Sequence, residues 1–408
     1  MRTAAGLLLL SAWPMAHGST TRPHIVVVGG GWAGFGAAHG LARSGLGLEV
    51  TLLEASGAPG GLAAGWRSAR GLPVEAGIHG FWRNYANIDR LIGSELGLDP
   101  FTPFTPSALY TQRGLSVTSP VLAGFPRLPA PLGTALWPQF NTISREDQVS
   151  DFKLAEPTSR AVGAAARVTK VRCTDGEEIT CDAVISAVGI SAAQRIANGA
   201  ASLRALPEFK DLKHLKAVDV VADLNALRHS AAESAPMLKD GGGRGSVVEL
   251  DFYYAKTLLA MGDEEVVRTA IAALGRAVPG VYGSLVQSDV VDSAVVRAPS
   301  AVSHFSPASF EFLPAIQSRA LGNWFWAGDW IDRGGHRSWS QEKAYVTGLQ
   351  AAKCAVLKTL GREAAAKVQD PMDVEPDEPH IIAGRAAARA TRALLETFFA
   401  PGSVSLKG

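Results

Sequence analysis

Residues 24 to 54 decide the fold: His24-Ile25-Val26-Val27-Val28-Gly29-Gly30-Gly31-Trp32-Ala33-Gly34-Phe35-Gly36-Ala37-Ala38, then Glu49-Val50-Thr51-Leu52-Leu53-Glu54. The unbroken apolar run 25–28 is the pattern of a parallel strand buried on both faces. Gly29, Gly31 and Gly34 fit G-x-G-x-x-G, with Gly30 between the first two. In that motif the first glycine makes the tight turn, the second lets backbone approach a pyrophosphate, and the third lets helix and strand lie close. A helix is predicted over 33–44, its N-terminal N–H groups and positive dipole end aimed at the pyrophosphate. Val50 to Leu53 is the second strand. Glu54 ends it, about 20 residues beyond Gly34, where a carboxylate accepts ribose hydroxyls. The glycines alone are a weak signal; strand, glycines, helix, strand and acid in this order describe a dinucleotide-binding unit.

The chain of 408 residues is long enough for two or three domains. Its net charge of +1 provides no global field to recruit nucleic acid or an acidic partner. A hydrophobic share of 47% against 19% charged residues is a globular composition that leans apolar. Cys173, Cys181 and Cys354 make neither a disulfide framework nor a metal cluster, and no metal ligand set is expected. Cys173 and Cys181 flank the predicted turn Thr174-Asp175-Gly176 and read as small buried residues. Residues 1–23 begin with Arg2, an apolar run from Ala4 to Trp13, and the small residues Ala16 and Gly18. This is the pattern of a signal or transit leader, too short to span a bilayer.

Downstream, Ala55-Ser56-Gly57-Ala58-Pro59-Gly60-Gly61-Leu62 is a loop whose paired glycines offer bare backbone beside the ribose–phosphate region. In Val74-Glu75-Ala76-Gly77-Ile78-His79-Gly80-Phe81-Trp82 two glycines bracket Ile78 and His79. His79 reads either as a hydrogen-bond donor to a cofactor ring or as a histidine bonded to backbone. Ile88, Leu91, Ile92 and Leu96 predict a short helix over 84–98, closed by Gly97. Residues 100–140 are rich in proline and aromatics, and the polar stretch 141–161 reads as a linker.

A hairpin is predicted over 166–181, followed by a buried strand ending at Gly189. Strands are expected at 218–224, 246–254 and 291–296, and an amphipathic helix at 264–278. Asn323-Trp324-Phe325-Trp326-Ala327-Gly328-Asp329 is a short buried strand ending in an acid. A long helix follows, from near Ser340 to about Leu360, and Gly348 inside it calls for close approach of another backbone or a ligand. The tail 361–408 holds an acidic link and an Ala/Arg helix near 381–399. Three separated pieces thus converge on one ligand: the first βαβ unit, the strand ending at Gly189, and the Gly328-Asp329 strand. A nicotinamide cofactor needs only the first, whereas FAD, with its second half met near the C-terminus, uses all three.

The motifs Val28–Gly34, Glu75–Trp82, Arg127-Leu128-Pro129-Ala130-Pro131-Leu132-Gly133, Ala327–Trp330 and Ser338–Tyr345 resemble the FAD-dependent amine oxidase superfamily. Within it they are most similar to the carotenoid (phytoene and ζ-carotene) desaturase-like branch of plants and algae. The resemblance implies an α/β fold with a Rossmann-like FAD-binding domain, discontinuous in sequence. It would be built from 24–80, 162–200 and 319–360, beside a mixed α+β substrate domain from 81–140 and 201–318. It implies that Gly29, Gly31, Ala33 and Gly34 meet the FAD pyrophosphate, and that Glu54, with Ala55, meets the adenosine ribose. Gly61 and Leu62 would lie by the phosphates, and Gly77, Ile78 and His79 by the isoalloxazine. Val168 would pair through its backbone with adenine, Asp329 would hold the ribityl or phosphate region, and the helix from Ala344 would meet the pyrimidine edge. Family members carry a long substrate cover where only 141–161 stands here, so the substrate domain reads as truncated.

By the same resemblance the chemistry is hydride transfer from an apolar substrate C–H to flavin N5, which needs orientation and exclusion of water rather than a side-chain nucleophile. The partners implied are a carotenoid-like small molecule, a quinone or oxygen as electron acceptor, and a membrane surface. The implied location is a plastid, while the leader alone would equally suit secretion. The alternatives are an amine or protoporphyrinogen oxidase, with Trp82, Trp330 and Trp339 as an aromatic cage, or an FAD-binding protein with impaired catalysis.

Overall fold

The computed structural model describes residues 8–11, 22–68, 70–71, 73–75, 79–82, 85–101, 108–111, 114–118, 166–228, 245–284, 286, 289–306, 309–333 and 340–372, with 379, 382–384, 386–387 and 390–391 beyond them. The predicted linker 141–161, the motif 127–133, Gly77, Ile78, Trp339 and most of the leader and tail lie outside the described residues.

The βαβ unit forms where the sequence places it: β1 (His24–Val28), α1 (Trp32–Arg43) and β2 (Glu49–Leu53). The hairpin follows as β3 (Arg167–Arg172) and β4 (Glu178–Thr180), then β5 (Ala183–Ser186) and α2 (Ile190–Gly199). Next come β6 (Lys216–Arg228), β7 (Gly245–Tyr253), α3 (Asp263–Ala277) and β8 (Val290–His304). The chain then returns to the first unit with β9 (Trp324–Trp326) and α4 (Gln341–Leu360).

One parallel sheet runs in the order β9-β5-β1-β2. Its side chains alternate with the period of two that a strand imposes. Ile25, Val27, Ala183, Ile185 and Phe325 face α1 and α4. Val26, Val28, Val184, Trp324 and Trp326 face the hairpin β3–β4, α2 and the turns that follow it. Burial on both faces is why these strands read as unbroken apolar runs. Each such large side chain removed from water contributes about 1.5–3 kcal/mol.

A second, antiparallel sheet has the order β7-β6-β8, with α3 on one face through Val266, Val267, Ile271 and Leu274. β6 and β8 outrun the sequence expectation, while β7 matches it within a residue at each end. The pairing of β6 with β8 shifts register between Val218 and Val220, so a strict alternation count stops short of the strand ends. The helix expected over 84–98 is a turn of α-helix at Ala86–Asp89 that widens into a π-type turn at Arg90–Glu95. Leu8–Ser11, within the expected leader, lies as a strand antiparallel to β3. Cys173 and Cys181 are buried thiols with no disulfide between them. Desolvation, aided by Asp182, pushes the Cys181 thiol up to about 12. No helix among the described residues is long and apolar enough to cross a membrane.

Candidate cofactor site

All four parallel strands deliver their carboxyl ends to one edge of the sheet, where open α/β sheets bind ligands. Beyond β1, Gly29 adopts φ +108°, and a β-carbon there would fall 2.5 Å from the Ala187 carbonyl oxygen that follows β5. A β-carbon on Gly34 would fall 1.7 Å from the Gly29 carbonyl oxygen. The first and third glycines therefore bring the turn and α1 against the sheet. The second keeps a concavity open: Gly31 faces Gly61 of the following loop, with a β-carbon on Gly61 only 3.2 Å from the Gly31 Cα. Gly61 itself sits at φ +59°. Gly31 is the N-cap of α1 and provides no side chain to its first N–H groups, and no acid stands in the first turn. Ala33 is inside that turn. An uncapped N-terminus beside bare glycine backbone is a cradle for phosphate oxygens.

Glu54 lies beyond β2, at the outer edge of the sheet. Its Oε2 accepts from the Gly30 N–H at 2.6 Å, and its Oε1 accepts from the Ser56 N–H and hydroxyl at 2.8 Å each. Partial burial alone would raise this carboxyl. The bonds from Ser56, Gly30 and Ala55 outweigh it and hold the group below its ordinary value. Oε1 already takes both Ser56 donors, so a further hydroxyl donor falls to Oε2, which the Gly30 N–H shares. Ala55 and Leu62 are exposed, and Leu62 brings no polar group.

At the opposite edge, Gly328 follows β9 with φ +146°, and its N–H donates to Thr347 Oγ of α4 at 2.9 Å. Asp329 Oδ1 accepts from Ser303 Oγ of β8 at 3.3 Å. Burial pushes the Asp329 carboxyl up, opposed by the Lys343 ammonium, Ser303 and the N–H groups of Asp329 and Trp330. Gly189, beyond β5, caps α2 and has open space around it. Ala344 is in the first turn of α4, but its N–H bonds Ser340 O and the Lys343 N–H bonds Ser340 Oγ. That helix start is capped by its own chain, unlike α1.

Two expectations need correction. Val168 does not offer its backbone to an adenine, because its N–H donates to Asn323 Oδ1 at 2.8 Å and its carbonyl accepts from Asn323 Nδ2 at 2.7 Å. Both groups are consumed inside the core, and Val168 is 1% exposed. Trp330 cannot wall an aromatic cage: it is fully buried, donates to the Val188 carbonyl and lies edge-on to Trp326. His79 Nδ1 lies 3.1 Å from Glu75 Oε2, a carboxylate and not a backbone group.

Sequence reasoning missed Lys343 and Glu342. Both are buried because the first two turns of α4 are enclosed nearly all round, a three-dimensional fact that helical spacing does not carry. Glu342 accepts from the N–H groups of Asn87 and Ile88 and from Asn87 Nδ2.

Comparison with known proteins agrees with this geometry. Residues 27–94 match the NAD(P)-binding Rossmann-like domain, and residues 158–356 match the flavin containing amine oxidoreductase family. A carotenoid phi-ring synthase from Chlorobaculum tepidum is 45% identical over 92 residues, which are 22% of this chain and 14% of that protein. Among solved structures, a candidate protoporphyrinogen oxidase from Exiguobacterium sp. 255-15 aligns with TM-score 0.55 at 13% identity, over 83% of this chain and 99% of its own. A putrescine oxidase bound to putrescine aligns with TM-score 0.51 at 14% identity, over 81% and 98%. These neighbours share the fold.

Fold and site together define a Rossmann-type dinucleotide site, and the family match downstream of it is to flavin containing amine oxidoreductases. Residues 158–356 carry the sequence of the flavin containing amine oxidoreductase family, seated on the Rossmann-like unit that opens at β1. FAD is the cofactor this arrangement fits. It provides an uncapped helix start for the pyrophosphate, an acid at each edge of the sheet, and about 15 Å between those edges from three inter-strand spacings.

Proposed function

We propose that the chain is an FAD-dependent oxidoreductase that removes a hydride from an apolar C–H, with a polyene or other isoprenoid as substrate. One observation carries the flavin part: Glu54 and Asp329 bracket the carboxyl edge of one parallel sheet, with the bare helix start at Gly31 between them. When bound, FAD supplies the hydride acceptor. The chain's own residues bind and orient it: α1 and the Gly31–Gly61 cradle take phosphate, Glu54 takes hydroxyls, and Asp329 holds the far half. No side chain here is assigned to proton transfer, and Glu75 orients the His79 ring through Nδ1. The substrate class is supported by the stretch shared with the phi-ring synthase and by the apolar composition. A quinone or oxygen as acceptor, contact with a membrane surface and a plastid location belong to the same reading.

One feature favours the amine alternative. Glu249, Asp251 and Tyr253 share one face of β7, and burial raises the Asp251 carboxyl while His79 opposes it. A carboxylate row suits a cationic substrate. The experiment is direct: purify the protein, record its visible spectrum and identify the released cofactor. Glu54→Arg and Asp329→Ala should each lower bound FAD. Liposomes carrying carotenes and a quinone, against primary amines with peroxide detection, then separate the two substrates. Bound flavin that neither substrate class reduces would leave a cofactor-binding protein without catalysis.

A further inference from the structure

Among the described residues Lys343 is a buried cation. Its side chain is fully buried, and its Nζ has no hydrogen-bond partner. It sits over the Phe305 ring, 5.6 Å from the centroid, which compensates a buried ammonium only weakly. Asp329 and Asp332 attract it and Arg333 opposes them, but among the described residues no carboxylate hydrogen-bonds it. A buried cation left this way costs several kcal/mol unless something else meets it.

Position indicates what that is. Lys343 belongs to the first turn of α4, one turn before Thr347, which ties α4 to Gly328. It therefore stands at the carboxyl end of β9, on the same sheet edge as the Gly31 cradle. Two inter-strand spacings, about 10 Å, separate β1 from β9. A nucleotide whose phosphates rest on α1 and whose adenosine lies toward β2 extends its other half toward β9. Of the backbone donors at the start of α4, Ser340 occupies the N–H groups of Lys343 and Ala344, which leaves those of Gln341 and Glu342 for the ligand. Beside them, the side chain of Lys343 brings a full positive charge to the same helix start.

We infer that Lys343 is the electrostatic partner of the pyrimidine edge of reduced FAD, placing its ammonium where two-electron reduction adds negative charge. This rests on the FAD reading above. A hydride from the substrate C–H in turnover, or two electrons from dithionite with one proton from water in the test, convert FAD to its anionic reduced form. The extra charge falls on the N1–C2=O edge, and the ammonium favours that form over the oxidised one. Lys343 acts here through charge and transfers no proton.

The test uses the holoprotein. Dithionite titration against an indicator dye gives the two-electron midpoint potential of wild type, Lys343→Met, Lys343→Gln and Lys343→Arg. The expected result is that Met and Gln weaken binding of reduced relative to oxidised FAD about tenfold, a fall of about 30 mV, while Arg stays near wild type. If Met fails to fold, Gln carries the comparison. Sulfite, whose adduct puts charge on the same edge, adds a readout that needs no substitution: wild type should bind it, and failure to do so counts against the inference. An unchanged potential in Met or Gln overturns it, whether or not FAD retention falls, since a purely structural lysine would alter retention alone. Wild-type protein that holds no flavin overturns the FAD reading instead, before any variant is made.

Discussion

Gly348 of α4 lies so close to Ala33 of α1 that a β-carbon on Gly348 would fall 2.1 Å from the Ala33 carbonyl oxygen. The contact is reciprocal: a β-carbon on Gly36 of α1 would meet the Tyr345 carbonyl oxygen at 2.6 Å. Backbone touches backbone across this crossing, so the obstacle is not a flexible side chain that can swing aside. The crossing also fixes where α1 begins, and hence where its free N–H groups point. Gly348→Ala should destabilise the fold by about 2–3 kcal/mol and lower FAD retention with it. Gly199→Ala, at the end of α2 with open space around it, should stay within about 1 kcal/mol of wild type. Urea midpoints of the two variants test this; equal midpoints would mean that the helices part at no cost.

Glu342 joins three parts of the chain that are far apart in sequence. From the start of α4 it accepts from Asn87 N–H at 2.9 Å, Asn87 Nδ2 at 2.7 Å and Ile88 N–H at 3.0 Å. Asn87 in turn receives the Met372 N–H on its Oδ1 and donates to the Met372 carbonyl. These are charge-assisted bonds in a buried place. Glu342→Ala should cost on the order of 3 kcal/mol by leaving three donors unsatisfied. Proteolysis between residues 85 and 98 should accelerate in the variant, since that helical turn loses its anchor. An unchanged cleavage rate would show that Asn87 and Met372 hold the segment alone.

The fold was legible where local pattern and burial coincide. The run Ile25–Val28, the glycines and Glu54 gave β1, α1 and β2 almost to the residue. Gly348 was readable as a close approach because glycine inside a helix has a cost that something must justify. What the sequence could not show is pairing at long range. Asn323 looks like a loop residue before β9, and nothing near it reveals that it satisfies the backbone of Val168, so the adenine assignment there failed. Trp330 looks like a cage residue until β5 and β9 are adjacent and Val188 takes its N–H. Lys343 sits among polar neighbours in sequence, and only the enclosure of the α4 start turns it into a buried charge.

Asn323 itself gives a third prediction. It is fully buried, and besides its two bonds to Val168 it donates to the Asp182 carbonyl at 2.7 Å. Asn323→Ala removes the partner of the Val168 N–H and of its carbonyl, and leaves the Asp182 carbonyl with the Arg167 guanidinium. The expected loss is about 3 kcal/mol in urea unfolding. Because Val168 is not an adenine contact in this geometry, saturating FAD should raise the midpoints of wild type and variant by the same amount. A larger rescue of the variant by FAD would mean that adenine does reach Val168.

The last prediction follows from the charge state of Lys343. Burial is the main cause that lowers its pKa from 10.5 to about 8, with Asp329 and Asp332 opposing and Arg333 adding. Below pH 8 the folded and unfolded chains both carry the proton, and the penalty for burying the ammonium is complete. Between about pH 8 and 10.5 the unfolded chain binds more protons than the folded one, so stability must rise with pH across that window. The rise is bounded by the shift, on the order of 3 kcal/mol in all. Urea midpoints of cofactor-free protein from pH 7 to 10 should therefore climb in wild type more steeply than in Lys343→Met, whose site has no proton to release. The difference should shrink when reduced FAD is bound and its anionic edge meets the ammonium, since the folded state then prefers the charged form. Parallel curves for wild type and variant without cofactor would show that the ammonium is already compensated within the chain, by Asp329 through a path the hydrogen bonds do not reveal.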